Sequence, residues 1–335
     1  MTRNHLLDNA KYILILFVVF GHMIEPLINT QEIIKTVYLS IYSFHMPAFV
    51  IIAGMLSKAD LSNERITKLI TSIVIPFIVF TVLYELFNFV TEGHISNYTR
   101  DLQPYWILWF LYSLFIWKLS LPIILNFRFP IVTAFIIAVG VGYSDSIGDF
   151  SGLSRTLYFF PFFIIGYKFS PKCLFDMKMK FNSNLYVVAL FGILALNFTL
   201  FSLFHDMQHQ WLYGSHSYAQ LGQDGWMAAV IRVSLYAISL LTVMSILLLI
   251  PNREIKFLSK GKNSLQVYVW HGFFIKVFSG IGIIYVVGTF PTMMTLVVLF
   301  GVSVILTLML SSDFVAKRTQ DFILDPIHKI LLSKS

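Results

Sequence analysis

The stretch Ala10-Lys-Tyr-Ile-Leu-Ile-Leu-Phe-Val-Val-Phe-Gly-His-Met-Ile-Glu-Pro-Leu-Ile28 decides the fold. Between Lys11 and Gly21 it holds nine consecutive apolar or aromatic residues, and the whole run is long enough to cross a hydrocarbon core of about 30 Å as a helix. No small-residue cleavage pattern follows, so it is expected to stay in the protein as a first span rather than leave as a signal peptide. Nine further runs of this kind follow at 35–56, 66–90, 104–124, 129–142, 153–169, 183–204, 227–250, 264–282 and 284–311. Only 12% of the 335 residues are charged, 57% are hydrophobic and 16% aromatic, whereas a soluble domain carries about a quarter charged residues. One soluble core does not absorb that much apolar surface. The expected class is all-α and integral to the membrane.

Orientation follows from the loops, because short cytoplasmic loops collect Lys and Arg. With the N-terminus inside, 19 of the 24 basic residues fall in cytoplasmic segments, from Arg3 and Lys11 to Lys317, Arg318, Lys329 and Lys334. The fifth run has only 14 residues, yet dropping it reverses every later loop. The charges therefore favour ten spans with both termini cytoplasmic. Residues 1–311 form one transmembrane domain in this scheme, and 312–335 a cytoplasmic tail whose mixture of Phe322, Ile323, Ile327, Ile330 and Leu331 with Lys329 suits a helix lying on the inner surface. The net charge of +7 does not indicate nucleic acid, since the cations sit between apolar runs instead of lining one polar face. Cys173 is the single cysteine, which excludes an intramolecular disulfide and a cysteine-based metal cluster within the chain.

Ionisable residues inside spans are costly unless they face a cavity or a partner, and so are functional candidates. Lys11 and His22 share a helix face about 16 Å apart along the axis. A cation near the inner surface and an imidazole just past the middle suit an elongated ligand with an anionic end and a reactive end. Acyl-coenzyme A has that shape. The plain alternative is that Lys11 snorkels to the interface and His22 packs. His45, in Phe44-His-Met-Pro47, and His271 lie at the same depth as His22 to within about 5 Å of the midplane, and Pro47 frees a carbonyl, as a polar cavity would tolerate. Glu25, at i+3 from His22, shares its face and is placed either to orient or charge-stabilise its ring or to stand as an interfacial residue near the outer end. The three histidines also admit a zinc site or structural hydrogen bonding, but their spacing is not that of a metal motif.

Arg155 stands at the outer start of the sixth span, as an interface anchor or a ligand contact. The outer loop from His205 to Trp226 lacks Lys and Arg but carries Trp211 and Tyr213. Aromatic faces mixed with amides are what a sugar-binding cleft uses.

Several pieces resemble one family in order: Asp8 to Lys11 with Gly21-His22; Phe44-His-Met-Pro-Ala-Phe49 with Gly54; Leu108-Trp-Phe-Leu-Tyr112; Arg155 with Phe160-Pro-Phe-Phe163 and Gly166-Tyr167; and Gly261-Lys-Asn-Ser-Leu-Gln-Val-Tyr-Val-Trp-His271. They resemble the acyltransferase family 3 membrane proteins, in the branch similar to fucose 4-O-acetylases, over nearly the whole chain. The resemblance implies about ten helices in the bacterial cytoplasmic membrane. It also implies transfer of an acyl group, usually acetyl, from cytoplasmic acyl-coenzyme A to a carbohydrate or glycolipid hydroxyl at the outer face, with acetyl-coenzyme A as donor substrate and no metal. His22 is then the essential histidine, with Glu25, His45 and His271 as catalytic candidates. Lys11 stands where the family often has Arg, which keeps the charge but weakens bidentate phosphate contact; Arg65 and Lys68 are the other candidates for the coenzyme phosphates. Trp109, Tyr112, Arg155, Trp211 and Tyr213 are candidates for the acceptor. No fused extracytoplasmic domain is expected, so transfer ends directly on the substrate. The rival from another class is a transporter or flippase of a glycan intermediate, although no internal repeat of the transporter kind is visible.

Overall fold

A computed structural model describes residues 5–149, 152–180 and 184–331. Arg3 and Lys334, counted above among the inner basic residues, lie outside the described residues. All regular structure among the described residues is helical. Among the described residues, seven helical segments are long and apolar enough to cross a membrane: His5–Leu27, Glu32–Met55, Asn63–Glu92, Trp106–Ile124, Asn184–Leu203, Trp226–Leu249 and Thr292–Leu310. The other three runs also form helices, but shorter ones: Pro130–Tyr143, Leu153–Lys168 with 16 residues and Ser264–Gly280 with 17, against the roughly 20 that a perpendicular span needs. The helix Asn184–Leu203 buries only Asn197 and Phe201, while Leu185, Val188 and Leu203 are 77%, 67% and 71% exposed. A helix that turns such side chains outward belongs in lipid.

Two runs read as continuous in the sequence are broken in the structure. The second run is not one continuous helix: it turns at Ser43 and Phe44, between Glu32–Tyr42 and His45–Met55. Pro47 thus stands in the first turn of a helix, where its missing N–H has no helical partner to lose. The last run does not start at residue 284. A short helix Ile283–Gly288 ends at Thr289, and Pro291 then serves as the N-cap of Thr292–Leu310, since proline lacks the N–H that a continuing helix requires.

The chain divides into two compact units. The first comprises Met1–Ile52, Phe169–Leu212 and Ile231–Asp313. Its centre is the helix His5–Ile24, packed against Glu32–Tyr42, Leu258–Asn263, Ser264–Gly280 and Thr292–Leu310. Gly261 lies directly on this helix: a Cβ there would stand 1.9 Å from the Asp8 carbonyl oxygen and 2.8 Å from the Tyr12 nitrogen. Asn9 fastens the same end by donating through Nδ2 to the carbonyls of Pro251 and Arg253 at 2.8 and 2.9 Å. The turn at Ser43 is held in the same way, with Asn197 Nδ2 donating to Ser43 Oγ at 2.9 Å and to Thr242 Oγ1 at 3.2 Å.

The second unit comprises Ala53–Lys168, Tyr213–Val230 and Phe314–Ser335. Leu153–Lys168 packs on Pro130–Gly140 and on Trp109–Ile124. Buried Trp117 donates its indole N–H to the Thr156 carbonyl at 2.8 Å, and the Ser113 and Thr156 hydroxyls meet at 2.7 Å. Gly54 admits the Phe163 carbonyl, 2.1 Å from where its Cβ would be. The tail is helical from Asp313 to Leu331; Leu324 is buried against Ile75 and Val79, with Ile323 and Ile327 alongside.

Candidate active site

The helix His5–Ile24 ends in a tight turn, Glu25–Leu27, with Pro26 near its start. That turn brings Glu25 back over the last helical residues, and its Oε2 lies 2.8 Å from His22 Nδ1. An ionised carboxylate only accepts, so Nδ1 carries the shared proton and a neutral His22 keeps its lone pair on Nε2. The Tyr42 hydroxyl stands 3.1 Å from the same Nδ1. Tyr42 is stacked on Tyr38 with ring centroids 3.9 Å apart, and meets His45 edge-on at 4.5 Å. His271 closes the group, its ring 5.5 Å from that of His22. The three histidines expected at one depth are therefore gathered with Glu25 inside one unit.

His45 and His271 are oriented alike. Each hydrogen-bonds through Nδ1 to the carbonyl four residues earlier on its own chain, Ile41 at 2.8 Å and Val267 at 2.9 Å. A carbonyl accepts, so in each neutral ring Nε2 is the nitrogen left with a lone pair. His271 is fully buried, and its Nε2 has no hydrogen-bond partner. A buried polar atom in that state calls for an explanation, of which a functional role is one.

Tyr42 is the site residue that sequence reasoning missed. A signal existed in the spacing Tyr38, Tyr42 and His45 on adjoining turns, which places three rings on one face, but aromatic residues in an apolar run read as packing.

Lys11, on the same helix as His22, forms an ion pair with Asp8 at 2.9 Å. Of the two expectations for Lys11, a cation for a ligand or a snorkelling anchor, neither is decided by this contact, which gives the ammonium a carboxylate one turn earlier. Arg65 and Lys68 belong to the other unit, on Asn63–Leu69. Arg65 Nε donates to Asp60 Oδ2 at 3.0 Å. The Asp60 carboxyl is held below the usual range, first by the Ser62 backbone N–H and hydroxyl, then by Arg65.

The acceptor candidates also divide between the units. Arg155, Trp109 and Tyr213 come together: the guanidinium lies 4.9 Å from the Trp109 ring and 5.4 Å from the Tyr213 ring, and Nε donates to the Tyr213 carbonyl at 3.1 Å. Tyr112, one turn after Trp109, lies 6.1 Å from Phe77, ring to ring. Trp211 belongs to the first unit and is only 5% exposed, so it offers little face for a sugar to stack on. Among the described residues no group of three His, Cys, Asp or Glu is arranged to hold a metal ion.

Comparison with known proteins agrees with a transferase. The model of the acyltransferase 3 family, described as an acyltransferase domain, matches residues 4–312. The nodulation protein NolL of Sinorhizobium fredii is 27% identical over 179 residues, 49% of this chain and 48% of the relative. NolL of Mesorhizobium japonicum is 27% identical over 178 residues, 49% of this chain and 47% of its own length. The match thus spans about half the length of these relatives. No solved structure matches the chain.

Proposed function

The chain belongs to the acyltransferase 3 family, and from that premise we propose that it moves an acyl group, acetyl in the first place, from cytoplasmic acyl-coenzyme A to a hydroxyl of a cell-surface or lipid-linked carbohydrate. The pairing of His22 with Glu25 carries this reading. Glu25 holds the proton of Nδ1, so Nε2 is presented as a base. As the acceptor hydroxyl attacks the thioester carbonyl, its proton passes to His22 Nε2; the new C–O ester bond forms, the C–S bond breaks, and the departing coenzyme thiolate takes the proton from the imidazolium. The lone pair on His271 Nε2 accepts a hydrogen bond from the incoming hydroxyl, and Tyr42 and His45 keep the ring of His22 in place. Lys11, and separately Arg65 and Lys68, are the cations proposed for the coenzyme phosphates. Arg155 with Trp109, Tyr112 and Tyr213 is proposed for the acceptor, with Trp211 a lesser candidate for its burial.

The donor reading is tested by incubating purified protein with radiolabelled acetyl-coenzyme A and following exchange into free coenzyme A or slow hydrolysis. Wild type is expected to turn the donor over, Lys11→Ala to raise the donor KM about 10-fold, and Lys11→Arg to stay within about 3-fold of wild type. Equal loss from both substitutions would show that the side chain's shape matters and its charge does not. No turnover by wild type sinks the acyl-coenzyme A assignment.

The proposed topology has ten spans in the bacterial cytoplasmic membrane, with both chain ends inside and the tail against the inner surface. It rests on the 19 of 24 basic residues in cytoplasmic segments. A reporter fused after Lys172 or Lys260 is expected to read cytoplasmic, and one near Ser215 external; an external signal at Lys260 rules this topology out.

A further inference from the structure

The first helix runs from Lys11 to His22, and the chain turns back through Glu25–Leu27 into Glu32–Tyr42. The cluster around His22 therefore has a side that faces away from Lys11, and a second cation stands there. Lys35, Tyr38 and Tyr42 recur at i, i+3 and i+7, which puts them on one face of Glu32–Tyr42. Tyr38 and Tyr42 are 0% and 8% exposed, so this face is turned inward, and Lys35 ends it half-buried. The Tyr42 hydroxyl stands 3.1 Å from His22 Nδ1, and seven residues of helix separate Lys35 from Tyr42 by about 10 Å along the axis. In the proposed topology Lys35 is among the basic residues that do not fall in inner segments, so orientation in the membrane gives no account of it.

Among the described residues the Lys35 ammonium has neither an ion-pair nor a hydrogen-bond partner. Glu32, one turn earlier, is the carboxylate that helical spacing offers it. The structure turns Glu32 to His205 instead, 3.8 Å from Nε2, and Asp206 lies 3.5 Å from the same nitrogen. A half-buried cation without a counter-ion is unfavourable. An anion that arrives with a ligand removes that cost. A second hydrogen-bonding group stands close by: the short turn His209–Leu212 packs on Glu32–Tyr42, and His209 meets the Tyr38 ring edge-on at 6.0 Å. Lys35 and His209 are thus both neighbours of Tyr38, one by helical register and the other by ring contact. Both belong to the first unit, as His22 does.

We propose that Lys35, with His209 as a second hydrogen-bonding group, forms an anion subsite for the acceptor, so that the sugar which is acylated carries a negative charge. This rests on the reading of His22 as the base of an acyl transfer, since a hydroxyl held at His22 is what brings the rest of its sugar past Tyr42 and Tyr38 towards Lys35. Lysine presents a compact point charge, which serves the phosphate of a lipid-linked sugar and the carboxylate of a uronic acid alike. Two cations then bracket the cluster along the chain's first two helices, Lys11 on the donor's side and Lys35 on the acceptor's.

The test uses full-length protein in nanodiscs, as wild type, Lys35→Gln and Lys35→Arg. Three probes share one sugar ring: glucose 1-phosphate, glucuronic acid and neutral methyl glucoside, each titrated by saturation-transfer NMR. Wild type is expected to bind one of the charged sugars about 10-fold more tightly than the neutral one, and which of the two it prefers tells phosphate from carboxylate. Lys35→Gln is expected to abolish that preference, and Lys35→Arg to keep it within about 3-fold. A wild type that binds charged and neutral sugars alike overturns the subsite. A preference that survives in Lys35→Gln overturns it too, as does one lost equally in both variants. Exchange of acetyl-coenzyme A by wild type in the same nanodiscs reads the transferase premise separately: without exchange that premise falls, while the sugar preference still decides whether Lys35 holds an anion. His209→Gln, expected to reduce the preference about 3-fold, carries the comparison where Lys35→Gln does not accumulate, and an unchanged preference there overturns the subsite.

Discussion

Replacing His22 by Gln is expected to lower acyl transfer by a factor of about 10² to 10⁴, the usual contribution of a general base, while the protein still inserts, folds and binds donor. In barrier terms this is about 3–5 kcal/mol. The Gln side chain keeps a donor for Glu25, which sits 2.8 Å from the histidine nitrogen, so the local turn has no reason to open. What Gln lacks is a lone pair that takes up a proton at neutral pH. Gln therefore separates proton transfer from packing, which Ala does not. The measurement is single-turnover transfer from labelled donor, with melting temperature as the check on folding. A Gln variant that retains more than about a tenth of wild-type turnover makes His22 structural and moves attention to His45 or His271.

The second large effect concerns stability. Gly261→Val is expected to cost at least about 3 kcal/mol, the upper end of what overpacking does, and to sharply reduce folded protein in the membrane. The reason lies in what the missing side chain admits. A Cβ at 261 would stand 1.9 Å from the Asp8 carbonyl oxygen and 2.8 Å from the Tyr12 nitrogen, which are the two ends of one helical hydrogen bond around Lys11. Neither atom moves without breaking that turn. Gly280→Ala is the control, since nothing lies within 4 Å of its Cβ position. Yield and melting temperature, read by fluorescence-detected size exclusion, decide the matter; a Val variant melting within about 1 °C of wild type contradicts the close approach of the two segments.

The histidine cluster was largely legible in the sequence because depth in a bilayer is countable. Span centres and a rise of about 1.5 Å per residue place His22, His45 and His271 in one layer, and i+3 spacing places Glu25 beside His22. Tyr42 was not legible, because an aromatic ring inside an apolar run has the same pattern whether it packs or touches an imidazole. The ion pair of Lys11 with Asp8 follows their i+3 spacing on one helix, although the same spacing does not say whether the cation also meets a ligand. Gly54 and Gly261 stood out only by resemblance. Their physical reason is a backbone from a distant segment, Phe163 to Tyr167 for one and Asp8 to Tyr12 for the other, and no local pattern announces that. The turn at Ser43 escaped notice for a related reason: Asn197 and Thr242, which brace it, come from far along the chain.

The order in which the cluster's members leave the ribosome follows from the discontinuous first unit. His22, Glu25, Tyr42 and His45 all come from its first segment, whereas His271 belongs to its last. At roughly 5–20 residues per second, His22 and Glu25 spend about 10 to 50 seconds in the bilayer before His271 is made. The partners that His22 has in the finished structure through Nδ1, Glu25 and Tyr42, are both made within that first segment, so its polar company does not wait for His271. Biogenesis therefore completes the cluster from the C-terminal side, and a nascent chain arrested before Ser264–Gly280 carries four of its five members without the fifth.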